Sequence, residues 1–126
     1  PVKKIETSEA PAAAGPYSQA VCAAGLIFVS GQIPIDTATA DVSCGDIKEQ
    51  AELVIRNTEK ILSSAGAGLG DVVKVDVFLR DMEDYPAMNE VYSRFFRGDA
   101  RPARCVVQAA RLPKDVRIEL SCIACS

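Results

Sequence analysis

The chain contains no histidine and no tryptophan among its 126 residues. The lack of histidine excludes Ser–His and Cys–His nucleophilic pairs, histidine ligands for zinc, and acid–base catalysis by imidazole. Neither a G-x-G-x-x-G nor a G-x-x-x-x-G-K-[ST] segment occurs, so the common phosphate-binding loops are missing as well. Any catalysis must therefore use carboxylates, tyrosine, serine, cysteine, lysine, arginine, backbone groups or water.

Long apolar runs are also absent, so we expect no membrane-spanning segment. The first six residues have neither the apolar core of a signal peptide nor the arginine-rich pattern of a transit peptide. A net charge of −3 argues against a broad nucleic-acid surface, although four arginines cluster between positions 94 and 104. We expect one cytoplasmic domain spanning residues 1–126, with no membrane partner.

Five cysteines are an odd number for a disulfide framework, so free thiols are favoured. Cys122 and Cys125 form the only C-x-x-C pair, and a zinc site would need two further ligands. On a strand these two side chains would point to opposite faces. We interpret them as core and tail residues rather than as a metal or redox site.

Two hydrophobic periods divide the chain. Alternation predicts strands over 21–24, 26–30, 72–80, 104–108 and 117–124, with Val73, Val75, Val77 and Leu79 on one face of the third. Helical spacing predicts one helix from Asp46 to a stop at Gly66, and a second that Asp84 caps and Pro86 helps to start. The pattern is typical of an α+β fold, with two helices on one face of a mixed sheet of about six strands.

One polar pair stands out in the last two strands. Arg104 shares a strand face with Val106 and Gln108, and Glu119 follows on the next apolar run. A guanidinium held on a sheet can bind a carboxylate or a phosphate through paired hydrogen bonds, and a glutamate nearby can accept or donate a proton. The alternative is a surface ion pair between neighbouring strands.

The second face of the sheet is the other unusual feature. Leu26, Phe28, Phe78 and Val106 predict that this face is partly apolar, and we place Arg104 and Glu119 among them. Two helices can cover only one face of the sheet, so packing against a second copy of the chain is the simplest way to bury the other face. A cleft between subunits would also suit a small ligand.

Six short segments stand out along the chain: Gly15-Pro-Tyr-Ser-Gln19, Ser30-Gly-Gln-Ile-Pro34, Asn89, Pro102-Ala-Arg104, Ala110-Arg-Leu-Pro-Lys-Asp115 and Ile118-Glu119. Together, and in this order, they closely resemble the motifs of the RidA/YjgF family, also called the L-PSP endoribonuclease family. The resemblance implies a chorismate-mutase-like α+β fold and a homotrimer with active sites at the subunit interfaces. It also implies an enamine/imine deaminase that hydrolyses 2-aminoacrylate and related 2-imino acids to 2-keto acids and ammonia, without metal or cofactor.

The family's site residues carry over position by position. Arg104 matches the arginine that grips the substrate carboxylate, and Glu119 matches the acid that positions water or transfers a proton. The remaining matches are pocket residues: Tyr17, Ser30, Gly31, Asn89 and Val106. Many members have cysteine at the position of Val106, whereas Cys105 here is one residue out of register, so we expect no cysteine nucleophile and a backbone role for Val106.

Two other functions compete with the enzyme. A non-catalytic regulator could bind 2-keto acids through the same Arg104, and Glu119 favours the enzyme without deciding between them. An endoribonuclease or translation inhibitor is the other alternative, since such activities are attributed to some family members. The acidic net charge and the lack of histidine argue against RNA as a partner.

Overall fold

The alternating segments form a single six-stranded sheet in the computed structural model, which describes residues 1–126. The strands are β1 (Lys3–Ile5), β2 (Ala20–Ala23), β3 (Leu26–Gln32), β4 (Val72–Leu79), β5 (Ala103–Gln108) and β6 (Ile118–Cys125). The helices are α1 (Ile47–Ser64) and α2 (Tyr85–Phe95), with short 3-10 turns at Leu69–Asp71, Met82–Asp84 and Pro113–Asp115. The predicted α+β class is confirmed.

The strand order across the sheet is β1-β2-β3-β6-β4-β5. Every neighbouring pair is antiparallel except β4 and β5, which are parallel and joined through α2. The sheet is therefore mixed, as expected. Strand β4 lies between β5 and β6, so Arg104 and Glu119 are not on adjacent strands, and the alternative of a direct ion pair between neighbouring strands is wrong.

Both helices pack on one face of the sheet, where they bury a continuous apolar core. Their buried side chains include Val54, Ile61 and Met88, which join Val77 and Leu120 of the sheet in one cluster. Helix α1 begins where Asp46 accepts a hydrogen bond from the Glu49 amide. Neither helix is long and apolar enough to cross a membrane.

The prediction for β4 needs one correction. Val75, Val77 and Leu79 are buried as expected, but Val73 is exposed and Val72 is buried in its place. A register shift between Val72 and Lys74 causes the exchange, because a bulge inserts a residue and reverses the facing of the side chain before it.

Asp84 does not cap α2, contrary to expectation, because its side chain makes no capping hydrogen bond. Its two carboxylate oxygens instead accept hydrogen bonds from Nε and Nη2 of Arg117, at 3.2 and 3.1 Å. This two-point pair ties the start of α2 to the chain just before β6. Pro86 lies in the first turn of the helix, as predicted.

The second face of the sheet is open, and the sequence-based assignment of residues to it was partly wrong. Leu26, Phe28 and Phe78 do lie there with Glu119, since Phe78 pairs with Glu119 across β4 and β6. Arg104 and Val106 lie on the helix-covered face instead, because they pair with the buried Val75 and Val77. Strand β5 presents Cys105 and Val107 to the open face, with both exposed.

Candidate functional site

The family-matched residues form two separate groups in the monomer. Tyr17, Ser30, Gly31 and Glu119 line one cleft of about 480 Å³, here called the Glu119 cleft. Arg104 and Asn89 line a second cleft of about 300 Å³ on the helix side of β5, together with Arg101 and Tyr92. The residues expected to act together are therefore divided between the two sides of the sheet.

Arg104 is held by side chains of α2. Its Nη1 donates to Asn89 Oδ1 at 2.7 Å, and its Nη2 donates to the Tyr85 hydroxyl at 2.9 Å. The guanidinium carbon also lies 4.7 Å from the ring centre of Tyr92, a cation–π distance. We call Arg104, Tyr85, Asn89 and Tyr92 the arginine cluster. A guanidinium has five N–H groups, so three remain for a ligand.

The two tyrosines of this cluster differ in their electrostatics. Hydrogen bonding with Asn89 and then the charge of Arg104 lower the pKa of Tyr85. Burial raises the pKa of Tyr92, and the charge of Arg104 opposes that rise. The Tyr92 hydroxyl is buried without a hydrogen-bond partner, so its ring supports Arg104 while its oxygen bonds to nothing.

Glu119 is half-buried at the base of its own cleft and has no hydrogen-bond or ion-pair partner in the chain. Burial raises the pKa of this carboxyl group, because desolvation disfavours the charged form. A carboxylate without a cation to neutralise it is poised to accept a proton closer to neutral pH than an exposed glutamate.

Gly31 lies against Glu119. A Cβ atom at position 31 would overlap Oε2 of Glu119 and would lie only 3.0 Å from its Cδ. Only a residue without a side chain therefore leaves the carboxylate where it is. In this chain, the pocket glycine expected at position 31 leaves the space that the Glu119 carboxylate occupies.

The loop that carries Tyr17 is fastened to β3. Ser30 Oγ donates to the Ser18 carbonyl at 2.6 Å, and the Ser30 amide donates to the Gln19 carbonyl. Tyr17 itself is 51% exposed, and its hydroxyl accepts a hydrogen bond from the Ala14 amide. Ser30 thus holds the loop, and Tyr17 stands at the mouth of the cleft.

Sequence reasoning gave no role to Gln19, which organises the same loop. Its buried side chain accepts from the Thr7 amide at 2.7 Å and donates to the carbonyls of Thr7 and Pro11. Its place at the end of a matched motif, directly before β2, was the available signal, because a buried amide needs partners that fix nearby backbone.

Lys114 also lines the Glu119 cleft and was not anticipated as a site residue. It and Asp115 have positive φ angles of 56° and 55°, a conformation that ordinary residues rarely adopt. Arg80 stabilises the turn by donating from Nη1 to the Asp115 carbonyl at 2.8 Å. The turn places a cationic residue at the rim of a cleft that contains an unpaired carboxylate.

The Val106 side chain is half-buried and packs against the core, so it does not line either cleft. Its backbone is more available. The Ala109 amide donates to the Leu79 carbonyl, so Ala109 and every second residue before it on β5 form the hydrogen bonds to β4. The N–H and C=O groups of Arg104 and Val106, which alternate with these residues, therefore point away from β4. Strand β5 is an edge strand, so these groups remain unpaired next to the Arg104 side chain.

The thiols lie outside both clefts. Cys105 is exposed on the sheet face opposite Arg104. Cys122 is buried, and burial raises its pKa to about 12, which keeps it protonated. Cys125 is exposed near the chain end, and all five cysteines are free.

Comparison with known proteins gives consistent relatives over almost the whole chain. A RutC family protein of Pyrococcus abyssi is 55% identical over 120 residues, covering 95% of this chain and 94% of that protein. TdcF of Escherichia coli, named as a candidate reactive intermediate deaminase, is 44% identical over 124 residues, covering 97% of this chain and 95% of its own.

Two solved structures extend the likeness to the fold. A structure described as a candidate endoribonuclease from Thermotoga maritima superposes with a TM-score of 0.94 at 50% identity, covering 98% of this chain and 97% of that one. The crystal structure of E. coli TdcF with bound serine superposes with a TM-score of 0.93 at 43% identity, covering 98% of each chain.

Fold and clefts together define a small α+β protein whose single mixed sheet carries one charged cleft on each side. The family model described as Endoribonuclease L-PSP matches residues 7–126. The chain belongs to this family, which is also the RidA/YjgF family, and the resemblance found from the sequence motifs is confirmed.

Proposed function

We propose that the protein is an enamine/imine deaminase that hydrolyses 2-aminoacrylate and related 2-imino acids to 2-keto acids and ammonia. The observation that carries the proposal is Glu119, a half-buried carboxyl group without a partner at the base of a small-molecule cleft. The name of the relative TdcF, a candidate reactive intermediate deaminase, points to the same class of reaction.

In the proposed reaction, water attacks C2 of the imine while Glu119 accepts one proton from that water. The imine nitrogen takes one proton from solvent, which gives the carbinolamine, and Glu119 then passes the proton it accepted to the same nitrogen. The C–N bond breaks as the C2 hydroxyl loses its proton to solvent, so ammonia leaves and the C2–O bond becomes a carbonyl. The net change is one imine and one water to one 2-keto acid and one ammonia. An enamine such as 2-aminoacrylate first takes a proton at C3, which gives the N-protonated imine directly.

Arg104 would bind the substrate carboxylate through two of its three remaining N–H groups. The free backbone groups at Val106 lie on the same edge and would add a contact that does not depend on side-chain type. Asn89 would hold the guanidinium in place, and Tyr17 would cover the mouth of the Glu119 cleft.

A complete site needs two copies of the chain, because Arg104 and Glu119 lie on opposite faces of one sheet. The apolar residues on the open face, including Phe28 at 39% exposure and Val107 at 42%, support its burial against another copy. We propose a homotrimer, following the family, in which the Arg104 edge of one subunit meets the Glu119 cleft of the next. A ring of three head-to-tail interfaces would form three equal sites.

The test is hydrolysis of 2-aminoacrylate, generated in place by a pyridoxal-phosphate lyase, by the wild type and by Arg104→Ala and Glu119→Gln. We expect turnover by the wild type and loss in both variants. Binding of 2-keto acids without turnover would instead identify a regulator. The same samples should be incubated with RNA, because cleavage that survives both substitutions would indicate an endoribonuclease that uses neither residue.

A further inference from the structure

Tyr85 stands out among the residues with no assigned role. Its hydroxyl is the only group besides Asn89 that accepts a side-chain hydrogen bond from Arg104. Its ring also lies beneath the guanidinium, with the carbon of Arg104 5.6 Å from the ring centre. Tyr85 belongs to none of the matched motifs.

The placement of Tyr85 is rigid. It is the first residue of α2, and the Asp84 carboxylate next to it is fixed by two hydrogen bonds from Arg117. Asn89 follows one helical turn later, on the same face of the helix. The two oxygens that hold Arg104 are thus set four residues apart on one helix that packs on the sheet.

Holding the guanidinium matters because an arginine side chain is long and flexible. A ligand that immobilises a freely rotating side chain must offset the entropy that the side chain loses, and earlier immobilisation removes that cost from binding. Asn89 restrains Nη1 and Tyr85 restrains Nη2. With both terminal nitrogens fixed, the plane of the fork is fixed too.

We infer that Tyr85 is a positioning residue of the substrate site, whose hydroxyl orients Arg104 so that its fork is set for a 2-imino or 2-keto carboxylate before the ligand arrives. This inference depends on the proposed function, since it assumes that Arg104 binds a carboxylate. Tyr85 acts through Arg104 and makes no contact with the reacting C2–N bond.

A pH signature follows from the same contact. Ionised Tyr85 would become an anion that competes with the substrate carboxylate for the guanidinium. The lowered pKa of Tyr85 places that competition below the usual value of 10. The other charged or titratable groups around the cluster are Arg104 on β5, Arg101 before it, Tyr92 on α2 and Cys122 on β6, and all four are unchanged when only Tyr85 is replaced.

The experiment compares wild type with Tyr85→Phe, which removes one oxygen and keeps the ring, and with Glu90→Gln as a control in an exposed part of α2. Pyruvate binding is titrated by NMR from pH 7 to pH 10, and kcat/KM is measured at pH 7. We expect Tyr85→Phe to weaken pyruvate binding by roughly threefold to tenfold at pH 7, the effect of one ordinary hydrogen bond, because Tyr85 acts on the ligand only through Arg104. KM should rise more than kcat falls. Toward pH 10 the wild type should lose pyruvate affinity as Tyr85 ionises, and Tyr85→Phe should not show this loss.

The decisive arm is a double-mutant cycle with Arg104→Ala. If Tyr85 acts through Arg104, its replacement changes kcat/KM in the wild-type background and leaves kcat/KM unchanged in the Arg104→Ala background. Equal effects in both backgrounds, or wild-type affinity and pH dependence in Tyr85→Phe, would overturn the inference while leaving the deaminase intact. Pyruvate binding that does not depend on Arg104 would overturn the proposed function together with the inference.

Discussion

Arg104 and Glu119 lie on opposite faces of one sheet, with β4 between their strands, so neither can reach a ligand bound by the other within one chain. Each has the chemistry that the other lacks. Arg104 is an anion-binding fork held by two side-chain hydrogen bonds, and Glu119 is a base without a cation to lower its pKa. Within the chain no guanidinium lies within hydrogen-bond distance of Glu119, so nothing offsets the rise in pKa that burial causes.

Replacement of Arg104 should affect ground-state binding. Hydrogen bonds to charged groups contribute about 1.5–3 kcal/mol, so Arg104→Ala should weaken 2-keto-acid binding by about tenfold to a hundredfold and lower kcat/KM at least as much. Arg104→Lys keeps the charge but loses the planar two-point contact, and should recover only part of the affinity. Isothermal titration with pyruvate measures both variants. Wild-type affinity in Arg104→Ala would remove Arg104 from the site.

Replacement of Glu119 should affect the chemical step. Glu119→Gln is nearly isosteric but cannot accept a proton, so kcat should fall by about a hundredfold while 2-keto-acid affinity changes little. In the wild type, kcat/KM should fall as pH drops through the raised pKa of Glu119, above the ordinary value of 4.5. This acidic limb should be missing from the residual activity of Glu119→Gln. Full activity in the variant would make Glu119 a structural charge only.

The same carboxyl group should make stability depend on pH in the direction opposite to that of a salt-bridged glutamate. Because its folded pKa is raised, the folded state binds more protons than the unfolded state between the two pKa values. Stability therefore falls as pH rises through that window. Glu119→Gln removes the cost, so its Tm should exceed that of the wild type at pH 7, and the difference should vanish below the unfolded pKa of about 4.5. Equal Tm values at pH 7 would contradict a burial cost at Glu119.

Much of this arrangement could be predicted from the sequence. Strict alternation located β4 and β6, helical spacing located both helices, and the motifs identified Glu119 and Gly31 together. The face of β5 could not be predicted, because an edge strand with Arg104, Val106 and Cys105 has no clear polar or apolar side. The order of the strands in the sheet could not be predicted from the sequence either. Paired residues of β4 and β6 are at least 39 positions apart in the chain, and only the folded sheet places β4 between Arg104 and Glu119.

The side-chain partners were the least predictable part. Aspartate is a common residue type at the start of a helix, so Asp84 was expected to cap α2. Two hydrogen bonds from the Arg117 guanidinium are, however, a stronger partner for its carboxylate than one backbone amide. Tyr85 has the spacing of an ordinary apolar helix residue, and its contact with Arg104 depends on how α2 and β5 are placed in the fold. Such contacts arise from tertiary packing, on which local sequence carries little information.

Gly31 offers a test of the Glu119 cleft that leaves both charged residues unaltered. Gly31→Ala adds a Cβ that overlaps the Glu119 carboxylate, so the carboxylate must rotate away. We expect kcat to fall by about tenfold or more, since a displaced base loses its alignment with water. Gly70→Ala, where a Cβ would meet nothing within 4 Å, is the matched control and should retain activity. Wild-type kcat in Gly31→Ala would show that Glu119 tolerates displacement.

Mixing two impaired variants tests whether the site is shared between subunits. Arg104→Ala and Glu119→Gln subunits are unfolded together and refolded, so that they assemble at random. An interface between a subunit with Arg104 and a neighbour with Glu119 is then intact in about one case in four, since each member of the pair is present half the time in a head-to-tail ring. We expect recovery of about a quarter of wild-type turnover, whereas the same variants refolded separately and mixed afterwards keep only their residual turnover until they exchange subunits. If the trimer forms but refolding them together restores nothing, Arg104 and Glu119 do not meet across an interface, and the shared site is wrong.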